Sequence, residues 1–212
     1  MREALELATW ETLYMVGWSA LWTVVLGLPL GVLLVVTSRG HLATVPALNA
    51  VLGAIVNIGR SLPFIILLVA VVPLTRTLAG TSIGPNAAIV PLTIAAVPFF
   101  ARIVETSLRE VDAGLLETGQ ALGASRLQII RKILLPEALP GLVAGITITV
   151  VALISYSAMA GVVGAGGLGD LAVRRGYQGY ETDITVACVI ALVALVQALQ
   201  SLGDFLARRL TH

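Results

Sequence analysis

An all-α bundle that crosses a lipid bilayer about five times is the fold class this sequence predicts, and three observations predict it. Hydrophobic residues make up 58% of the 212-residue chain and charged residues 12%, where a soluble domain carries roughly 25% charged. Mean hydropathy is +0.97. Asp, Glu, Lys and Arg are absent from residues 12–38, 40–59, 61–75, 77–101, 138–169 and 184–203. Most of these runs approach or exceed the 20 or so apolar residues that cross roughly 30 Å of hydrocarbon.

Four spans follow directly, at 13–36, 84–104, 138–160 and 183–206. The stretch from 40 to 75 is divided by Arg60. An arginine at the centre of a span costs about 2.5–3.5 kcal/mol on insertion scales, and much less where it snorkels to the headgroups. Residues 58–74 therefore read as one span with Arg60 at its membrane edge. Residues 45–57, with Pro46, Asn49 and Asn57, lie against the interface or extend that helix. Six spans is the alternative count.

Five spans with the N-terminus outside put nine cations in the cytoplasm: Arg39, Arg60, Arg102, Arg109, Arg126, Arg131, Lys132, Arg208 and Arg209. Arg2, Arg76, Arg174 and Arg175 remain outside, which agrees with the positive-inside rule. The N-terminus, with Arg2 against Glu3, Glu6 and Glu11, reads as a retained span and not a cleaved signal. A net charge of +1 gives no field to attract nucleic acid. Cys188 has no second cysteine to pair with, and His41 and His212 are isolated in sequence. Gly27 with Gly31 and Gly141 with Gly145 are small-xxx-small pairs that allow close helix approach, within the subunit or between copies.

Residues 102–137 carry ten ionisable groups and cannot be a span. Local signals give two short helices there. Asp112 caps the first, which ends at Leu122 before Gly123 as its C′ glycine. Ser125 and Gln128 form a capping box for the second. That helix places Leu127, Ile130, Ile133 and Leu134 on an apolar face, and Pro136 stops it. The elbow is either a docking element for a cytoplasmic protein or a loop folded back on the spans.

The glycine run GAGGLG at 164–169 matches G-x-G-x-x-G but follows a span instead of a strand, and position 189 is Val189 and not an acid, so it is no dinucleotide site. No G-x-x-x-x-G-K-[ST] occurs either, so the chain has no P-loop for ATP. The glycines allow tight non-helical backbone at the outer membrane edge. Beyond them Asp170, Arg174, Arg175, Tyr177, Tyr180, Glu181 and Asp183 suit docking of an external protein, or an ordinary solvated loop.

The elbow resembles the EAA loop of ABC importer permeases, E-A-A, three residues, G, nine residues, I-x-L-P. This chain reads ETGQALG at 117–123, nine residues, then ILLP at 133–136, with Glu117, Gly123, Ile133, Leu135 and Pro136 on pattern. Thr118 and Gly119 replace the two alanines, and Gly119 weakens the helix by roughly 1 kcal/mol relative to alanine. RSLPFIILLVAVVPLTR at 60–76, AAIVPLTIAAVPFFARIVE at 87–105, LLPEALPGLVAGITIT at 134–149 and YSAMAGVVGAGGLGDLA at 156–172 are similar to the methionine branch of that family, over about residues 10–209.

The resemblance implies a single permease domain that is not itself an enzyme and acts as a homodimer with the pathway on its two-fold axis. Two cytoplasmic ATPase subunits would bind ATP and magnesium, and an extracytoplasmic binding protein would deliver methionine. The loop at about 109–136 would then couple to the ATPase through Glu117, Gly123, Ser125, Ile133, Leu135 and Pro136. Tyr156, Ser157 and Met159 are pore or gate candidates, each with a packing role as the alternative. Asp170, Arg174 and Arg175 are candidates for docking the binding protein. Another amino acid or an osmoprotectant such as glycine betaine is the alternative cargo, and a passive channel or scaffold the alternative class.

Overall fold

The protein is described by a computed structural model over residues 1–210, so His212 lies outside the described residues. Those residues form helices and turns, with no strand among them. In chain order they are α1 (Arg2–Val36), α2 (Pro46–Ser61), α3 (Phe64–Ala70), α4 (Val72–Ala79), α5 (Pro85–Arg109) and α6 (Ala113–Ala121). Then come α7 (Arg126–Ile129), α8 (Leu135–Glu137), α9 (Leu139–Gly161), α10 (Gly167–Leu171) and α11 (Thr182–Leu210). Helices α1, α5, α9 and α11 are each long and apolar enough to cross a membrane. The broken pair α2 and α3, bent by 105°, makes a fifth where the two are taken as one span.

Small residues set the packing. A Cβ on Gly27 would meet Phe100, and one on Gly31 would overlap Val104 and the Ala101 carbonyl. At the other end Tyr14 donates to Asn86 at 2.8 Å. The contacts advance together along both chains, so α1 and α5 run side by side in the same direction. Helix α9 runs against α5, with Gly141 on Ser107 and Gly145 on Ile103. The two small-xxx-small pairs therefore serve packing within the subunit. Gly203 of α11 packs on Thr147 of α9. Phe100, Leu92 and Leu153 are buried where these helices meet.

The second span differs from its expected course. Pro46 opens α2, and the Asn49 amide donates to the Leu34 carbonyl at 2.6 Å and the Thr37 hydroxyl at 3.1 Å. These bonds satisfy the part-buried Asn49 amide, and one helix runs from Pro46 to Ser61, the second of the two courses expected for 45–57. Val56 packs on Leu34 and Ala101, and Gly59 on Pro98. Pro63 then ends the helix, and Phe64 restarts it in a new direction. Arg60 is consequently 14 residues past Pro46, about 20 Å along a helix. It lies within the depth of the bundle, beside Pro98 and Phe99 instead of at the edge. The cytoplasmic excess becomes eight cations against four.

Helix α5 runs further than expected, because the charges of its last two turns pair with one another. Glu105 is buried and accepts from Arg102 at 2.6 Å and from Arg109 at 2.9 and 3.1 Å. These are i,i+3 and i,i+4 pairs, the spacing at which helical side chains meet.

Candidate functional site: the cytoplasmic elbow, the membrane cavity and the outer face

The elbow is built by its caps. The Asp112 carboxylate accepts from the Gly114 N–H at 2.6 Å and opens α6. Gly123, at φ 75°, closes it, with the Ala124 N–H donating back to the Gly119 carbonyl at 3.0 Å. That left-handed position is open to glycine at little cost. Ser125 and Gln128 complete the expected box: the Gln128 side chain accepts from the Ser125 N–H at 2.7 Å, and the Ser125 hydroxyl from the Gln128 N–H at 3.4 Å.

The second arm departs from expectation at its proline. Pro136 does not stop the helix. A π-helical turn at Ile130–Leu134 precedes it, in which the Leu135 N–H donates to Ile130 five residues back. The wide turn absorbs the missing proline N–H, and the helix continues to Glu137. Leu134 and Ala138 pack with Leu108 of α5 and Leu142 of α9. The elbow is thereby seated on the ends of two spans.

Its two faces are distinct. Inward, Ile129 and Leu134 are buried, and Gly119 makes room for the Ile133 side chain, whose Cδ1 would be 2.7 Å from an added Cβ. Outward, Leu122 is 82% and Leu127 55% exposed, with Leu115 beside them. Leu127 thus leaves the buried face it was expected to share with Ile133 and Leu134. Glu117 is exposed and makes no hydrogen bond or ion pair among the described residues. A local capping role for it is excluded, and its carboxylate is available to a partner. Of the six coupling candidates, Glu117, Gly123 and Ser125 lie on the outer surface with Pro136, while Ile133 and Leu135 are half-buried supports.

A cavity of about 260 Å³ lies within the bundle, lined by Gly59, Arg60, Leu62, Phe64, Ala95, Phe99 and Tyr156. The Tyr156 ring stacks on Phe64, centroids 4.8 Å apart. The three pore candidates separate. Tyr156 lines this cavity, and Met159 is 41% exposed on the same helix. Ser157 is buried at 2% and donates to the Ile154 carbonyl at 2.7 Å, so it faces the core and no cavity. The sequence reading missed Arg60 as a member of this group; the signal was an arginine three residues before Pro63.

On the outer face the glycine run folds back into the bundle. Gly164, Gly166 and Gly167 have φ of 84°, 83° and 79°. The Gly167 N–H donates to the Glu11 carboxylate at 2.7 Å and the Leu168 N–H to the Thr12 hydroxyl at 2.9 Å. Gly161 and Gly169 let α9 and α10 touch through their backbones. A cavity of about 550 Å³ opens beside the run and brings together Glu11, Asp170, Arg174 and Arg175. Arg174 pairs with Asp170 at 3.1 Å and Arg175 with Glu181 at 2.9 Å. Tyr177 and Tyr180 stand exposed beyond.

A bundle of four or five candidate spans with a capped polar elbow at one end has the form of a transporter's membrane subunit. The family described as "Binding-protein-dependent transport system inner membrane component" matches residues 24–212, and the chain belongs to it. Over 154 residues it is 56% identical to the probable D-methionine transport system permease protein MetI of Vibrio cholerae, spanning 73% of this chain and 68% of that one. The D-methionine transport system permease protein MetI of Salmonella typhi is 59% identical over 152 residues, spanning 72% and 70%. Among solved structures, an inward-facing form of the MetNI methionine ABC transporter matches with a TM-score of 0.98 at 50% identity, covering 100% of this chain and 98% of that one. The chain is an inner-membrane, multi-pass transport component.

Proposed function

We propose that the chain is the permease subunit of an ATP-driven methionine importer, forming the translocation pathway as a homodimer by alternating access. The observation that carries this reading is the full-length likeness, at 50% identity and a TM-score of 0.98, to the permease in a methionine ABC transporter. ATP and magnesium belong to two copies of a cytoplasmic ATPase. The N-terminus is outside and the C-terminus cytoplasmic, in keeping with the eight-to-four cation distribution.

The mechanism follows from how the elbow is mounted. Leu122, Leu127 and the unpaired Glu117 present an apolar patch with one negative charge to the ATPase. Gly123 and the two caps keep the arms at a fixed angle. Because Leu134 and Ala138 are packed against Leu108 and Leu142, displacing the elbow displaces the cytoplasmic ends of α5 and α9. Rigid-body motion of a partner thus becomes helix tilting. Outside, the cavity beside Asp170, Arg174 and Arg175 receives the substrate-binding protein. Met159, on the exposed side of α9, gates the pathway.

The test is reconstitution in proteoliposomes with the cognate ATPase and binding protein, comparing labelled methionine with glycine betaine. ATP-dependent accumulation of methionine alone is expected. Betaine accumulation would keep the machine and overturn the cargo. Uptake without ATP would overturn the class.

A further inference from the structure

We propose that Arg60 is a cargo-contacting residue, whose guanidinium holds the carboxylate of the transported amino acid partway across the membrane. The inference rests on the reading of the chain as an amino-acid importer permease. Its basis is an unpaired cation that sits one to two helical turns further into the bundle than Arg102.

Arg60 is exposed on the surface of the subunit and has no hydrogen bond or ion pair among the described residues. Gly59 beside it touches Pro98, and its cavity reaches Ala95 and Phe99. Those α5 residues lie one to two turns inside Arg102, which already pairs with Glu105. An ionisable group at such depth faces a water-filled path or a partner, not hydrocarbon.

The helix surface says which. Val51, Ile55 and Ile58 recur at helical spacing and are all exposed, a stripe suited to lipid tails. Asn57, Arg60 and Ser61 are exposed on a different side, at i, i+3 and i+4. Two exposed faces of opposite character on one helix separate lipid from an aqueous pathway.

The counter-charge is not supplied by this chain. Glu3, Glu6, Glu11, Asp170, Glu181 and Asp183 belong to the outer end. Glu105, Glu110, Asp112, Glu117 and Glu137 belong to the cytoplasmic end, and Glu105 is already held between two arginines. A second copy related by an axis along the membrane normal offers the same groups at the same depths. Asp204 comes nearest in depth, since its neighbour Gly203 packs on Thr147. Apart from Asp204 of a second copy, which the D204N variant below tests, the source of negative charge is the solute. Arginine's planar fork fits a carboxylate bidentately. The walls supplied by Leu62, Phe64, Phe99 and Tyr156 suit an apolar side chain attached to it. At about 260 Å³ the cavity is just below the range of drug-sized pockets, roughly 300–1,000 Å³, and suits a single amino acid.

The experiment uses the complex with its ATPase and binding protein in proteoliposomes, and measures both methionine uptake and ATP hydrolysis for wild type, R60M, R60Q, R60K and D204N. The inference predicts uptake lowered about tenfold or more in both neutral variants, with hydrolysis stimulated by the loaded binding protein kept within about twofold, and partial recovery in R60K. ATP spent per methionine therefore rises, which a merely structural role would not produce. Unchanged uptake per ATP in either neutral variant overturns the inference. So does joint loss of both activities in R60M and R60Q, or the same defect in D204N, which would make Asp204 of a second copy the partner. A wild-type complex that imports no methionine overturns the importer reading itself, and the inference falls with it.

Discussion

Gly169 and Gly17 show how one residue type acts in opposite ways in this chain. A Cβ at Gly169 would overlap the backbone of Ala158, which cannot move without parting α9 from α10. Gly169→Ala is expected to cost about 1–3 kcal/mol, read as a lowered thermal midpoint in detergent. Gly17 has nothing within 4 Å of an added Cβ, so Gly17→Ala should leave the midpoint unchanged or raise it by up to about 1 kcal/mol in stability. His41, in the turn between α1 and α2, is a further residue-scale case. Burial, and then the Arg109 charge, lower its pKa below the ordinary 6.5. The unfolded chain binds that proton more readily, so this contribution to stability is intact above about 6.5 and is lost as pH falls below that through the lowered folded pKa. Comparing melts at pH 7.5 and 5.5, His41→Asn should lose less stability on acidification than wild type. An equal loss would place the sensitivity elsewhere.

At the scale of elements, what could be read in the sequence was what neighbouring residues decide. Asp112, Gly123 and the Ser125–Gln128 pair act within three residues of themselves, and the elbow's caps were visible for that reason. Four spans were visible because each is a long run of apolar side chains. The second span was not, because counting charge-free residues makes Arg60 a boundary. Its true course depends on Asn49 meeting the end of α1 and on a break at Pro63. Leu127 and Pro136 misled for a related reason: a π-helical turn rotates the second arm, and no 3.6-residue pattern announces it. The anchoring of the glycine run by Glu11 and Thr12 joins residues 156 apart and leaves no local trace. The elbow gives its own prediction. Glu117 is exposed and makes no hydrogen bond or ion pair among the described residues, so Glu117→Lys should leave thermal stability unchanged while weakening co-purification with the ATPase. Equal co-purification would remove Glu117 from the docking surface.

For the whole molecule, the account joins three levels of the membrane. The outer cavity lies beside a glycine run tied to α1, the broken span carries Arg60 into the bundle, and the elbow sits on α5 and α9. Helix α5 touches or supports all three, which makes it the element through which motion at one face reaches the other. In the proposed mechanism the elbow transmits the ATPase's motion to the pathway. Gly123→Pro tests it most directly, because proline cannot adopt φ 75° and the fixed angle between the arms must be lost. The measurement is ATP-driven methionine uptake by the reconstituted complex, wild type beside Gly123→Pro. The variant is expected to insert in the membrane yet accumulate no methionine above the ATP-free background. Accumulation at the wild-type rate would contradict it.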